Sequence, residues 1–374
     1  MRQLGLAHLV YPGATHSRFE HALGAYHLAR RALANLREAG ALAAVPADEP
    51  AVVSAAALLH DVGHYPFSHA LEEIGAPHHE SLAGSLVTDG PVAQILRAEI
   101  GADAPQRVLD LICGRSASAL QGLISGSFDL DKIDYLQRDA RMCGVPYGEI
   151  DEDRLIQSML VLRDPATGTA SLGIREKGLS AVETLLFAKY QMYRNVYWHH
   201  ACRSATAMYK RIVERAVERG AVTMAVLGAY TDEGLLQAVE SVGDDPMLTA
   251  LRERRLFKRA YEAPAAALPA AGNLEWLADD RARTRAAEAR IAKHLGVSPT
   301  DVLIDFPAKT QMLGLDVLVT QRDRSVRRLT QSGLPGAIDL PRLAGELYAS
   351  ARCLRVFTAE RATLAEADVR AALA

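Results

Sequence analysis

Cysteine is scarce in this sequence and is never spaced as in a metal or disulfide framework. Only 4 of the 374 residues are cysteine, and none of them forms a CxxC pair. This usage argues against a zinc ribbon and against a small disulfide-stapled fold, and it is typical of a protein of the reducing cytoplasm. The four residues are Cys113, Cys143, Cys202 and Cys353.

Long apolar runs and an excess of charge of one sign are also missing. No run of about 18 apolar residues occurs, so no membrane-spanning segment is predicted. The first residues, MRQLGLAHLVYPG, have neither the apolar run nor the small-residue cleavage pattern of a secretory signal. The formal net charge is -3, which argues against a broad basic surface for nucleic acid but is compatible with a basic pocket.

Histidine, by contrast, is concentrated in one part of the chain. Nine of the 12 histidines lie between His8 and His79, and only His294 lies beyond residue 200. Because histidines that merely solvate a surface would be scattered, this concentration indicates a functional site.

Two helices are predicted in the first 61 residues. The stretch 16–39 has the apolar spacing of a helix, and Ser17 and Glu20 form a capping box at its start. The stretch 51–61, AVVSAAALLHD, is apolar on nearly every side, which is typical of a buried helix.

The remaining chain is predicted to be mainly helical, with short strands in few places. Helices are expected at 79–100, 105–125 and about 180–218, and another begins at Ser127 or Asp129 and carries residues 131–139. The stretch 159–174 and the runs VLIDF, LDVLVTQ and CLRVF are predicted strands, and LPRLAGELYASA is a helix between the last two. The sequence therefore predicts a mainly α fold with a small α+β C-terminal region.

The pair His60-Asp61 stands at the end of the apolar helix 51–61. Consecutive helical side chains point about 100° apart, so both can bind one ion only if it lies near the helix end. A single His-Asp pair is incidental about nine times in ten. Here, however, His64 and His69 follow closely, and a buried apolar helix rarely tolerates such polarity without a partner. The presence of these histidines beside His60-Asp61 indicates a functional site.

Four motifs in the chain resemble the signatures of one enzyme family. HSRFEH, HDVGHYPFSH, HHES and DLDKIDYLQRD are similar to the motifs of HD-domain hydrolases, and within them to the dNTP triphosphohydrolase branch. The resemblance covers about residues 1–215. It implies an HD-domain helical catalytic core at 1–215, a helical extension at 216–300 and a small α+β region at 301–374.

The resemblance implies one divalent metal ion. Two imidazoles and two carboxylates suit Mn, Fe, Zn, Ni or Mg, between which the sequence does not distinguish, and a nucleotide can bring an additional Mg ion. Four ligands on an octahedral ion leave two positions for water and a phosphate oxygen. The implied metal ligands are His21, His60, Asp61 and Asp131.

Three further histidines match the catalytic positions of the family. His64 matches the histidine nearest the scissile bond, and His69 and His79 complete the trio. The implied reaction is attack at the α-phosphorus, which releases a deoxynucleoside and triphosphate. A histidine with a pKa near neutrality can give the leaving O5′ its proton.

Six positions match substrate contacts of the family. Gln3 and Asp139 match residues at the sugar 3′-hydroxyl, Leu4 and Tyr135 those crowding the ribose, and Arg18 and Lys132 those binding phosphate. On a helix, Asp131, Tyr135 and Asp139 recur at i, i+4 and i+8 and therefore share one face.

The later helix departs from the family pattern, which presents an Arg, a His and a Tyr four residues apart. An ungapped alignment places Tyr190, Arg194 and Trp198 there. We expect Arg194 to reach back to the β- or γ-phosphate and Tyr190 to donate a weaker neutral hydrogen bond. The alternative is that Arg194 faces solvent or an oligomer interface and that the aromatic stripe is helix core. A second departure is that Gln3 lies two residues from Met1, which predicts a start further upstream or the loss of a supporting segment.

The predicted function is metal-dependent hydrolysis of deoxynucleoside triphosphates by a cytoplasmic homo-oligomer. One alternative is hydrolysis of other nucleotides, such as mono- or diphosphates or guanine nucleotides. Another is a nucleotide-binding regulator, or a binder of single-stranded nucleic acid, with weak catalysis. His64 beside four ligands favours turnover, and the near-neutral charge does not favour a nucleic-acid role.

Overall fold

The first helix is set by its own sequence. In the computed structural model, which describes residues 1–268, 274–307, 316–329 and 339–374, helix α1 spans Arg18–Glu38. The hydroxyl of Ser17 accepts the backbone N–H of Glu20, and the Glu20 carboxylate accepts the backbone N–H of Ser17. This capping box was predicted and is confirmed. The alanine and leucine face of α1 packs against helix α2, Glu49–Leu59.

The remaining helices follow the predicted order but are shorter. They are α3 (His79–Thr88), α4 (Gly90–Glu99), α5 (Ala104–Ile112), α6 (Leu130–Cys143), α7 (Glu152–Ser158), α8 (Leu179–Met192), α9 (His200–Glu218), α10 (Asp232–Glu240), α11 (Pro246–Arg252), α12 (Trp276–Asp279), α13 (Arg281–Leu295), α14 (Leu340–Ala351) and α15 (Glu366–Leu373). The single helix predicted at 79–100 divides at Gly90, whose φ of 68° only glycine adopts readily. The helix predicted at about 180–218 divides at a π-helical turn, Tyr193–Tyr197.

Two small sheets complete the fold. The strands are β1 (Met159–Arg163), β2 (Ala170–Arg175), β3 (Lys258–Pro264), β4 (Val302–Asp305), β5 (Val317–Thr320), β6 (Val326–Leu329) and β7 (Cys353–Thr358). The first sheet has the order β1-β2-β5-β6, with β2 and β5 parallel, and the second is the antiparallel sheet β3-β7-β4. The predicted strand runs all contain strands, although Leu315 lies outside the described residues. Strand β3 was not predicted, because its surroundings had been interpreted as helical throughout.

The core positions the site where three packed groups meet. Helices α1 to α8 and the first sheet enclose the largest apolar cluster, and α9 to α11 enclose a second with the segment around Tyr65 and Leu71. Helices α13 and α15 pack on the second sheet around a third. The prediction of a mainly α fold with a small α+β C-terminal region is confirmed. Among the described helices, none is long and apolar enough to cross a membrane.

Candidate metal centre and active-site cavity

The four predicted metal ligands lie together at the ends of three helices. Nε2 of His21 lies 3.1 Å from Nε2 of His60, 3.0 Å from Oδ1 of Asp131 and 3.8 Å from Oδ2 of Asp61. Nε2 of His60 lies 3.5 Å from a carboxylate oxygen of both Asp61 and Asp131. Helix α2 begins and ends two residues earlier than the predicted helix at 51–61. Because it ends at Leu59, His60 and Asp61 lie in the turn that follows the helix. There both side chains can face the same point.

Hydrogen bonds to the outer nitrogen of each imidazole test whether this group fits a metal ion. Nδ1 of His21 lies 2.8 Å from the carboxylate of Asp134, and Nδ1 of His60 lies 2.9 Å from the carbonyl oxygen of Ala57. Both partners are acceptors, so each Nδ1 carries a proton and each Nε2 is the atom left to bind a cation. The two Nε2 atoms lie 3.1 Å apart and need a cation beside both of them, either a shared proton or a metal ion that replaces it. The donor set therefore fits a divalent ion.

The electrostatics of the group also favour a cation. Burial opposes ionisation of Asp61, but Arg18 and the neighbouring histidines hold the pKa of its carboxyl well below the usual range. The pKa of Asp131 is lowered in the same way, against its burial, by His21 and His60. Burial alone would lower the pKa of His21, yet the surrounding carboxylates raise it to about 10. The centre of the group is thus a point of strongly negative potential.

Two glycines allow the close approaches on which the centre depends. A Cβ at Gly24 would collide with the carboxylate of Asp134, so glycine at this position lets α6 approach α1 closely enough for Asp134 to reach His21. A Cβ at Gly63 would collide with the backbone of His79 and Ala83. Glycine at position 63 therefore lets the turn after α2 contact the start of α3.

The three predicted catalytic histidines form a cluster beside the metal ligands. The ring of His64 stacks on that of His79 with centroids 3.9 Å apart, and the ring of His69 lies 4.6 Å from His64. Nε2 of His64 lies 3.1 Å from Oδ1 of Asp61, which joins the two groups. Glu72 was not predicted. Its carboxylate lies 2.7 Å from Nδ1 of His79 and 3.5 Å from Nδ1 of His69. Its position three residues after His69 was the available signal.

These residues also satisfy the geometry of a second metal site. One ligand atom from each of His64, His69, Glu72 and His79 lies within 4.8 Å of the others. Determination of the metal content therefore needs to distinguish one ion per chain from two.

The pKa of His64 differs from the expectation of near neutrality. Burial and the charge of Arg18 hold it well below the usual value, although Asp61 opposes the shift. His64 is therefore neutral in the ligand-free protein. A role as proton donor requires the negative charge of a bound phosphate to favour its protonated form.

A cavity of about 720 Å³ joins the two groups of residues. It is lined by His60, Asp61 and Asp131 of the ligand group and by the histidine trio, and also by residues from the C-terminal part of the chain such as Asp279 and Pro307. Six of the predicted substrate residues line it as well: Gln3, Leu4, Arg18, Lys132, Tyr135 and Asp139. Asp131, Tyr135 and Asp139 thus share one face of α6, as their spacing predicts.

Asp139 is engaged by two partners that were not predicted. Nε2 of His16 lies 2.7 Å from one carboxylate oxygen, and the hydroxyl of Tyr197 donates to the other at 2.8 Å. Burial raises the pKa of Asp139, and both hydrogen bonds oppose this rise. The buried amide oxygen of Gln3, which lines the same cavity, has no hydrogen-bond partner in the described parts of the chain. A sugar hydroxyl could donate to it.

The two predicted phosphate-binding cations already have anionic partners. Arg18 donates to Oδ2 of Asp61 at 2.5 Å and to the hydroxyl of Ser68 at 2.8 Å. The ammonium of Lys132 contacts the carboxylate of Asp129. Much of the charge of both residues is therefore compensated within the protein.

Comparison with protein families assigns the chain. Residues 18–139 match the HD domain, and residues 150–339 match the HD associated region. The chain belongs to the HD-domain phosphohydrolase family. It is 38% identical to YwfO of Bacillus subtilis over 218 residues, which cover 58% of this chain and 48% of YwfO. It is 28% identical to the deoxynucleoside triphosphate triphosphohydrolase SAMHD1 homologue of Dictyostelium discoideum over 222 residues, 56% of this chain and 42% of that protein.

The chain spans about half the length of these curated relatives. A crystal structure of a phosphohydrolase from Bacteroides thetaiotaomicron superposes on 96% of this chain and 92% of its own, with a TM-score of 0.72 and 22% identity. That structure shares the fold.

Two predicted substrate residues of this HD-domain phosphohydrolase do not reach the cavity. Arg194 donates to the hydroxyl of Tyr190 at 2.8 Å, and that hydroxyl lies 3.4 Å from the hydroxyl of Ser350 on α14. Neither side chain lines the cavity. The prediction of an Arg194 clamp on the phosphates is therefore wrong for this structure. The ungapped alignment was displaced by one residue, which is about 100° around a helix.

The residues that line the cavity from this helix keep the four-residue spacing one position earlier. They are Lys189, Tyr193 and Tyr197, with Trp198 beside them. Lys189 is the cation that sequence reasoning missed. It is buried, and among the described residues it forms no hydrogen bond or ion pair. Burial, followed by the charge of Lys132, lowers its pKa to about 7.

Asp134 provides a first prediction about the metal centre. We expect Asp134→Asn to weaken metal binding by about 10- to 100-fold, because an amide neither orients His21 nor polarises it as a carboxylate does. Isothermal titration of the chelator-treated protein with Mn²⁺ would measure the change. Arg138→Gln is the control, since it removes the other partner of Asp134, which donates to both carboxylate oxygens, and leaves the carboxylate beside His21 in place. Equal affinity in Asp134→Asn and wild type would contradict the orienting role.

Proposed function

We propose that this HD-domain protein hydrolyses deoxynucleoside triphosphates to a deoxynucleoside and triphosphate. The observation that carries the proposal is the buried ammonium of Lys189, which has no partner among the described residues and lies in the same cavity as the His and Asp ligand group. The relationship to a protein named as a deoxynucleoside triphosphate triphosphohydrolase supports this choice of substrate.

The charge of Lys189 indicates an anionic substrate. An ammonium that loses its hydration on burial is unfavourable unless an anion replaces the water, and the part of the chain that the structure describes supplies no carboxylate in contact with it. The carboxylates that affect its pKa, Asp129 and Asp131, do so at a distance, and each has nearer partners. A phosphate in the cavity would therefore be the partner of Lys189 and would restore its full charge.

The ligand group supplies the second half of the chemistry. A divalent ion held by His21, His60, Asp61 and Asp131 would polarise a phosphoryl oxygen and acidify a bound water. The neighbouring imidazoles of His64, His69 and His79 lie on the side of Asp61, where they can supply a proton to a leaving oxygen. The combination of these groups with the ammonium of Lys189 is suited to cleavage of a phosphate ester.

Aromatic side chains that line the same cavity are suited to the sugar and base. Tyr135, Tyr193 and Tyr197 lie edge to face, with centroids of Tyr193 and Tyr197 4.9 Å apart, and Trp198 lies 5.1 Å from Tyr193. Such a wall provides flat apolar contact and a few hydroxyls. We propose that Tyr135 and Leu4 crowd the 2′ position of the sugar, which would select deoxyribose.

The experiment that tests the proposal is product identification. The protein is incubated with each dNTP and NTP in the presence of Mn²⁺ or Mg²⁺, and the products are separated by ion-exchange chromatography and assigned by ³¹P NMR. We expect deoxynucleoside and triphosphate in equal amounts. Release of orthophosphate or pyrophosphate would contradict the reaction, and equal turnover of NTPs would contradict the selection of deoxyribose.

Lys189 provides a second prediction, with a matched control five residues away. We expect Lys189→Gln to raise the KM for a triphosphate substrate by about 10- to 100-fold, the usual effect of losing a charged hydrogen bond. Arg194→Gln removes a neighbouring cation that bonds Tyr190 outside the cavity, and it should leave KM unchanged. Steady-state kinetics of the two variants decides between them. A larger rise in KM for Arg194→Gln than for Lys189→Gln would instead support binding of the phosphates by Arg194.

A further inference from the structure

Outside the metal centre, three buried charged residues and the partly buried Glu73 form a closed cluster. Arg203 donates to both oxygens of Asp305, at 2.9 and 2.6 Å, and to both oxygens of Glu73, at 3.1 and 2.9 Å. Lys210 donates to Glu73 at 2.7 Å and to Asp305 at 3.4 Å. Two cations and two anions balance. Such a cluster tolerates little displacement, because each charge depends on the others for the solvation it has lost.

The cluster joins distant parts of the chain. Arg203 and Lys210 lie on α9. Asp305 ends β4 in the second sheet, β3-β7-β4, which we call the C-terminal sheet. Glu73 belongs to the 3₁₀ helix Ser68–Ile74, the segment that also carries His69 and Glu72. The C-terminal sheet is therefore fastened to the segment that bears catalytic groups.

Adjacent residues in the 3₁₀ helix have different partners. With three residues per turn, neighbouring side chains point about 120° apart. Glu72 contacts His79 and His69 on the cavity side, whereas Glu73 contacts Arg203 and Lys210. Any rotation of this helix that weakened one set of contacts would displace the other. The cluster thus sets the direction of the Glu72 carboxylate.

The start of the segment needs such support. Phe67 and Ser68 both have positive φ values, 58° and 67°, in a region that residues with a Cβ rarely adopt. The N–H of Phe67 donates to Asp232 at 2.9 Å, and the hydroxyl of Ser68 bonds Arg18. These bonds hold the beginning of the segment, and the charged cluster holds its end.

We infer that Arg203 and Asp305 are positioning residues, through which the C-terminal sheet orients Glu72 and hence His69 and His79 for hydrolysis. Arg203 itself lines the cavity, but Asp305 does not, so Asp305 can act only through Arg203 and Glu73. The effect on turnover rests on the proposed function, whereas the effect on the histidines does not.

The test compares Asp305→Asn with a closely matched control, Glu288→Gln. Glu288 is also a buried carboxylate; it pairs with Arg211 on the same helix α9 and accepts the N–H of Ile304, the residue before Asp305. It has no contact with the segment Ser68–Ile74 in the described structure. Both substitutions remove a buried negative charge that contacts or belongs to β4. Only Asp305 pairs with Arg203, which also bonds Glu73.

We expect Asp305→Asn to lower kcat by about 10- to 100-fold, the effect of a misplacement near 1 Å, with little change in KM or in metal content. Glu288→Gln, assayed below its own unfolding temperature, should retain wild-type kcat, and Asp305→Glu should recover part of the loss. Equal losses of kcat in the Asn and Gln variants would overturn the inference, since both effects would then be general destabilisation.

A second readout keeps this test independent of the substrate. Histidine ring signals, observed by NMR in the full chain labelled at histidine, should shift for His69 and His79 in Asp305→Asn but not in Glu288→Gln. Unshifted signals in a folded Asp305→Asn protein would overturn the inference. If wild-type protein cleaves no dNTP while these signals shift as expected, the proposed function fails and the positioning role stands.

Discussion

Replacing Asp131 with alanine is expected to remove the bound metal ion and the activity together. A carboxylate oxygen of Asp131 lies close to Nε2 of both ligating imidazoles, 3.0 Å from His21 and 3.5 Å from His60. Without it the ligand group loses half of its carboxylates, and a divalent ion would have to neutralise less charge with fewer donors. The metal content, measured by elemental analysis after gel filtration, should fall from about one ion per chain to a small fraction of that.

The control for this prediction addresses the ordinary role of an acidic residue in the first turn of a helix. Asp131 lies in the first turn of α6, where it could simply stabilise the helix dipole. Asp151 caps α7 through the N–H of Arg154 and lies outside the cavity. Asp151→Ala should cost about 1 kcal/mol of stability and leave metal content unchanged. Full metal content in Asp131→Ala would contradict the assignment. If the wild-type protein binds two ions and Asp131→Ala retains one, the retained ion would be assigned to the group of His64, His69, Glu72 and His79.

Replacing His64 with alanine is expected to lower kcat by about 10²–10⁴ while metal content is retained, the range for a lost general acid or base. His64 is not among the four ligands, but it lies 3.1 Å from Asp61 and is 3% exposed. Of the three clustered imidazoles it is the one in contact with a metal ligand. A proton donated from this position would reach a leaving oxygen on the phosphorus that faces the ion.

His27→Ala is the control for loss of an imidazole, because His27 is exposed on α1 and is remote from the cavity lining. Pre-steady-state measurement with saturating substrate separates chemistry from product release. An unchanged single-turnover rate in His64→Ala would mean that His64 only packs against His79. A simultaneous loss of metal would make His64 a ligand.

Several features of the site were predictable because they depend on neighbours within one or two turns. The capping box of Ser17 and Glu20 sets the start of α1, and the apolar run before His60 sets α2 and its burial. Asp131, Tyr135 and Asp139 face one cavity because side chains four residues apart share a helix face. In these cases local sequence and backbone geometry suffice.

Other features depended on contacts between distant segments. The carboxylate that orients His21 comes from Asp134, 113 residues away, and depends on the close approach that Gly24 permits. The strands of the first sheet come from either side of residues 176–316, since β2 pairs with β5. No periodicity within one segment carries this information, because the pairing is chosen by the packing of the whole core.

Even within one predicted helix, the sequence did not determine whether Lys189 or Arg194 points into the cavity. Helix α8 carries apolar residues on several sides, so its pattern does not determine which face points into the cavity. Packing against α6 and α14 places Lys189 inside and leaves Arg194 bonded to Tyr190 outside. The sequence by itself determined the ligand types and the elements that carry them. Only the tertiary structure decided which cation is buried, because a one-residue change of register rotates every side chain by about 100°.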